Sequence, residues 1–187
     1  MPDTRTFIHR IDADDIIEYV NEAWVEWAGE NWDAEEARRV VGMPMFEYLH
    51  SRSVRHVYRV LLNRLRGLAG RVALPYRCDS PDTRRWMEVE IEVLERDAVE
   101  FRSRILKEEP RDPVPVLLPE TERSEELLMM CSWCKKIHVP PWMEVELAIK
   151  DLDLFGEPTM PRLVHTICDV CRTLIENSVP GRTPGAQ

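Results

Sequence analysis

Trp86-Met87-Glu88-Val89-Glu90-Ile91-Glu92-Val93 is the stretch from which the fold is read. Charged and apolar residues alternate with a period of two. Met87, Val89, Ile91 and Val93 therefore fall on one face of a strand, and the glutamates on the other. The carboxylates read as one solvated sheet face. The apolar side must be packed. Two further extended stretches flank this one, Arg71 to Cys78 and Ala98 to Lys107. Asp79-Ser80-Pro81-Asp82 supplies turn chemistry on one side and Arg96-Asp97 a tighter turn on the other.

Toward the N-terminus the period changes. From Ser53 to Ala69 the apolar positions Val54, Val57, Tyr58, Leu61, Leu62, Leu65 and Leu68 make one helical stripe, and Gly70 ends it. Arg52, Arg55, Arg59 and Arg66 lie largely opposite, as a solvated face. His56 sits beside the stripe and reads, like His50, as a surface residue. Earlier still, Phe7 to Ile11 and Ile16 to Val20 are β-prone runs split by Asp12-Ala13-Asp14-Asp15, the pattern of a hairpin. Asn21 caps a short helix carrying Trp24, Trp27 and Ala28 and stopped by Gly29, and Asp33 caps another through Arg39. Two strands, several helices and three strands specify an α+β fold: a five-stranded antiparallel sheet with helices on one face.

Beyond residue 108 the composition shifts. Pro110, Pro113, Pro115 and Pro119 make residues 109–120 a semi-rigid linker, with Val114, Val116, Leu117 and Leu118 as its sticky side. Residues 121–177 then carry Cys131-Ser-Trp-Cys134 and Cys168-Asp-Val-Cys171. Two residues between thiols let a tight turn aim both sulfurs at one ion, and four thiolates complete tetrahedral Zn²⁺ with no position left for substrate. Cys131, Cys134, Cys168 and Cys171 are thus the expected ligands of a structural zinc. His165, three residues before Cys168, is a neighbour donating a hydrogen bond or an alternative ligand. His138 reads as a surface histidine. Lys135-Lys136 favour the deprotonated ligands. Helices are expected from Thr121, from Pro141 through Leu152, and from Asp169 to Glu176, with a β-prone run from Leu163 to Ile167. Residues 178–187 are expected to be a disordered tail.

The chain has 187 residues, five cysteines and a formal net charge of −9. Residues 120–177 hold eleven acids against six bases, so neither the whole nor its cysteine-bearing part suits phosphate backbones, and no nucleic-acid partner is expected. Met1 to Arg10 lacks an apolar signal core and no stretch approaches membrane-spanning length. Paired cysteines without a secretory signal fit a reducing, cytoplasmic setting. Cys78 reads as a small apolar residue at a strand end. No nucleophile and base pairing, phosphate loop or open metal site is visible, so an enzyme is not expected.

The order of elements, the Asp15-to-Asn21 run, the Val41-Gly42 step and the three closing strands resemble a PAS domain over residues 5–108. The segment Tyr76-Arg77-Cys78-Asp79-Ser80-Pro81 with Arg84-Arg85-Trp86-Met87 resembles a subset of small bacterial PAS-like proteins. The resemblance implies a sensor or docking module with a small-molecule ligand pocket between helices and sheet, and a tendency to form homodimers. Trp24, Trp27, Tyr58, Leu61 and Leu62 are the pocket candidates, with Trp32 a further aromatic nearby. Flavin-binding light sensors of this fold carry a cysteine before the long helix, and Asn21 to Ala69 has none.

Cys-Ser-Trp-Cys-Lys-Lys-Ile, the Trp142 to Glu146 run and His165-Thr-Ile-Cys-Asp-Val-Cys resemble a cysteine-rich segment that follows bacterial PAS and receiver domains. Thr166 and Asp169 stand where that segment has glycine and proline. The resemblance implies an accessory module without catalysis of its own. Together these readings describe a cytoplasmic bacterial signal-transduction protein that acts through an unidentified partner. The alternative is a thiol-based redox or zinc sensor, in which oxidation of a cysteine pair releases the metal.

Overall fold

The computed structural model describes residues 4–31 and 34–179. Strands β1 (Thr6–Ile11) and β2 (Ile17–Val20) are followed by helices α1 (Glu22–Asn31), α2 (Ala34–Arg38) and α3 (Arg52–Leu68). Strands β3 (Arg71–Arg77), β4 (Thr83–Val93) and β5 (Val99–Pro110) come next. They build one five-stranded sheet of order β2-β1-β5-β4-β3, antiparallel at every pair. The α+β architecture is the expected one. Trp32 and Asp33, candidates for a pocket aromatic and a helix cap, lie outside the described residues.

The alternation in β4 does what its chemistry requires. Met87, Val89 and Ile91 are buried against the helices. On the opposite face Arg102 reaches Glu90 at 3.0 Å and Glu92 at 2.8 Å, and Arg104 reaches Glu88 at 2.6 Å. Cross-strand ion pairs of this exposure add little individually, but they keep this face wet and the register defined. Helix α3 lays Val54, Val57, Leu61, Leu62 and Leu65 onto the sheet, each burial contributing roughly 1.5–3 kcal/mol. Ser51 caps its start, accepting from the Val54 amide at 3.5 Å. At its end the left-handed residue is Ala69, not Gly70, whose amide donates back to the Leu65 carbonyl at 3.0 Å.

The remainder forms a second sheet of order β8-β7-β6-β9, from β6 (Arg123–Cys131), β7 (Ile137–His138), β8 (Trp142–Met143) and β9 (Met160–Thr166). Helix α4 (Val145–Asp151) precedes β9, and α5 (Asp169–Ser178) closes the described chain. β6 and β9 run parallel.

Several expectations are corrected here. The helix from Thr121 is strand β6, because Leu128 and Met130 are buried while Leu127 and Met129 face out, a period of two that the acids before it disguised. The helix from Pro141 begins only at Val145, since Trp142 and Met143 pair with β7. Helix α1 runs through Gly29 to Asn31. Of residues 109–120, Glu109 and Pro110 belong to β5, and Val114 and Val116 are buried with Met130, Ile137 and Ile149 in a second core. The tail also begins later than expected, with Ser178 helical and Val179 buried; residues 180–187 lie outside the described residues.

Candidate functional site

Cys131 ends β6 and Cys134 lies in the turn that follows. The Lys135 amide closes that turn onto the Cys131 carbonyl at 2.9 Å, with Lys135 in the left-handed region at φ 62°. The Cys131 amide donates to the Lys136 carbonyl at 2.8 Å. Cys168 is the N-cap of α5 and its sulfur accepts from the Cys171 amide at 3.4 Å. The Cys168 amide in turn donates to the Cys131 sulfur at 3.4 Å, which ties the two pairs together. Strand pairing of β6 with β9 delivers both turns to the same end of the second sheet, Cys131 standing opposite Thr166.

The four sulfurs lie within 4.8 Å of one another. All four cysteines are free thiols, and the Cys134 to Cys168 sulfur distance is 3.9 Å. A tetrahedral site with metal–sulfur bonds of about 2.3 Å needs sulfur–sulfur edges of about 3.8 Å, so the donor set fits a single ion. Without a cation the sulfurs must share protons. Cys131 is held well below the ordinary thiol range by hydrogen bonds from the Cys134 and Cys171 thiols, while donating to it pushes Cys134 up to about 12 and Cys171 further up. A divalent ion would take all four as thiolates and release those protons.

His165 is not part of this cluster. It is exposed on β9, and partial burial together with Lys135 and His50 lowers its pKa. His56 faces solvent on α3. The His138 ring lies 4.9 Å from that of Trp142 at a tilt of 52°.

The first cysteine turn is docked on the large sheet. β3 is the edge strand there, and an unpaired edge invites unwanted pairing. The Arg77 amide donates to the Trp133 carbonyl at 2.9 Å, and the Trp133 indole N–H donates to the Pro75 carbonyl at 2.7 Å. Trp133, flanked by two candidate ligands, is buried and joins the large sheet's core together with Cys131, Cys168 and Cys171. Its ring sits 6.1 Å from Tyr58 and 6.0 Å from Tyr76.

A cavity of about 270 Å³ opens beside that ring. Trp24, Trp27 and Tyr58 line it from the helical side. Leu61 and Leu62 do not: they are fully buried beneath, filling the core between α3 and the sheet, because one helical turn carries them past the cavity. The sheet contributes His9, Tyr76, Met87, Phe101 and Ser103. Ser132, Trp133 and Lys135 of the first cysteine turn form the remaining wall. Sequence reasoning missed that wall, as well as His9 and Tyr76. Alternation within β1 places His9, and within β3 Tyr76, on the inward side, and that signal was available.

Burial lowers His9 to about 4 and raises Tyr58 to about 12; it also raises Tyr76, whose hydroxyl is bonded to Ser103. Cys78, also on the cavity, is raised by burial against the pull of Lys135 and Arg85. At neutral pH these groups are all uncharged. His9 stacks face to face on Phe101 at 4.4 Å.

Next to the cavity an ion cluster, buried at its centre and half-buried at its rim, joins the large sheet, the linker and α4. Asp79, 1% exposed, lies between Arg77 and Arg111. Arg77 also bonds Glu144, and Glu146 takes Arg111 at 2.6 Å and Arg84 at 2.9 Å.

No family model matches the chain, and no curated protein matches it. Among solved structures, one described as the crystal structure of a sensory box sensor histidine kinase from Vibrio cholerae superposes with a TM-score of 0.38 at 15% identity, over 56% of this chain and 84% of that one. No helix among the described residues is long and apolar enough to cross a membrane.

Proposed function

We propose that this chain is a cytoplasmic signal-transduction protein, with a PAS-like sensing or docking domain over residues 5–108 coupled to a four-cysteine module over residues 121–177 that holds one structural Zn²⁺. The observation that carries the reading is the position of Trp133. It stands between two metal-ligating cysteines, covers the edge of β3 and walls the cavity between helices and sheet. A change in that cavity therefore bears directly on the metal turn, and the reverse holds equally. Four thiolates at tetrahedral spacing favour zinc and leave no open coordination site, so the ion braces structure and the output passes to a partner protein instead of through catalysis by this chain. Native mass spectrometry of protein purified without added metal tests the reading. One zinc per folded chain is the expected result, and a folded, reduced, metal-free chain overturns it.

A further inference from the structure

We propose that the cavity binds a small, uncharged, planar aromatic molecule of about two fused rings, and that metal occupancy of the four cysteines sets its affinity. The inference rests on the metal-module reading above and adds the ligand class and its control.

Size comes first. Ligand pockets for drug-sized molecules run from about 300 Å³ upward, whereas an apolar cavity of about 150 Å³ takes a single benzene ring. At about 270 Å³ this cavity suits a fused bicyclic ring. Shape follows from the walls: Trp24, Trp27, Tyr58, Tyr76, Phe101 and Trp133 offer ring faces and edges from several directions, which favours a flat π-system over a branched aliphatic one.

Charge decides the rest. Among the described residues no carboxylate lines the cavity. His9, Tyr58, Tyr76 and Cys78 are neutral there at physiological pH. Arg77 is committed to Asp79 and Glu144, and Lys135 donates to the Ser132 carbonyl at 3.0 Å beside the cysteine cluster, whose thiolates offset its charge when metal is bound. An ionic ligand would lose its hydration without gaining a counter-charge not already engaged. A neutral ring with one polar N–H or O–H finds His9, Ser103 and Ser132 as partners.

Control comes from the chain path. Ser132 and Trp133 are the two residues inside the first Cys-x-x-Cys turn, so the metal that fixes Cys131 and Cys134 also fixes the wall between them. Linkage then requires that the ligand retain the metal by the same factor that the metal tightens the ligand.

Indole is the probe: neutral, bicyclic and bearing one N–H. Calorimetry on chain of measured metal content is expected to show one indole bound, with at least tenfold weaker binding of indole-3-carboxylate. Saturating indole is expected to raise at least tenfold the concentration of a chromophoric chelator that removes half the metal at equilibrium, a readout that needs no variant. Val89→Phe, which adds a ring to the sheet wall of the cavity, is expected to keep the metal and lose indole. Metal-loaded protein that binds no indole, binds the carboxylate as well, or yields half its metal at the same chelator concentration with and without indole overturns this inference while leaving the zinc reading intact. A folded chain without metal overturns the zinc reading first.

Discussion

Individual residues carry two clear tests. Asp79 is a buried carboxylate between two nearly buried guanidinium groups, so its removal strands charge in low dielectric. Asp79→Ala is expected to lower unfolding free energy by about 3–5 kcal/mol in urea titration, with Asp79→Asn costing less because it can still accept a hydrogen bond. A loss under about 1 kcal/mol would show that Glu144 and Glu146 suffice. His9 gives a pH signature. Its folded pKa is about 4 against an ordinary value of 6.5, so between those values the unfolded chain binds a proton that the folded chain refuses. Stability must then fall as pH drops from 6.5 to 4, by at most about 3 kcal/mol from this group. His9→Phe, which can keep the stack on Phe101, is expected to flatten the stability curve over that window relative to the parent. A parent and variant that lose the same stability across the window would contradict it.

At the scale of elements, the long helix ends on a residue poorly suited to its conformation. Ala69 sits at φ 46°, a conformation that costs a side-chain-bearing residue roughly 1–2 kcal/mol and glycine almost nothing. Ala69→Gly is expected to raise the thermal midpoint, with a net gain of roughly 0.5–1 kcal/mol after the added flexibility of the unfolded chain. The same element shows how sequence reading succeeds. The stripe from Val54 onward is long and periodic and is buried at Val54, Val57, Leu61, Leu62 and Leu65, whereas Leu68, its last member, is exposed at the helix end. Strand β6 shows how it fails. Glu122, Ser124 and Glu125 have the composition of a helix start, but parallel pairing with β9 outweighs local propensity, and that partner lies far along the chain, beyond β7, β8 and α4.

For the whole molecule, the consequence is cooperativity. Cys131, Cys168 and Cys171 share one continuous core with Leu62, Ile91 and Phe101, and α5 adds Ile175 to it. With the proposed zinc bound to the four cysteines, stripping it with a chelator under reducing conditions is therefore expected to lower the unfolding midpoint of the large sheet as well as the small one. Far-ultraviolet dichroism and tryptophan fluorescence should move together in a single transition. Two separated transitions, with the large sheet unaffected, would mean that the halves are energetically independent.

The features legible in the chain alone are local and periodic: the alternation in β4, the stripe of α3, and two Cys-x-x-Cys turns whose sulfurs suit one ion. Period and spacing are set by backbone geometry over a few residues, so they can be read without neighbours. Contacts between distant segments set the rest: Trp133 closes the edge of β3, Val114 and Val116 of the proline-rich stretch pack into the second core, and the cavity belongs to both halves at once. Those outcomes depend on which apolar surfaces and unpaired backbone groups find each other across long stretches of chain, and that choice is made by burial and hydrogen bonding in three dimensions.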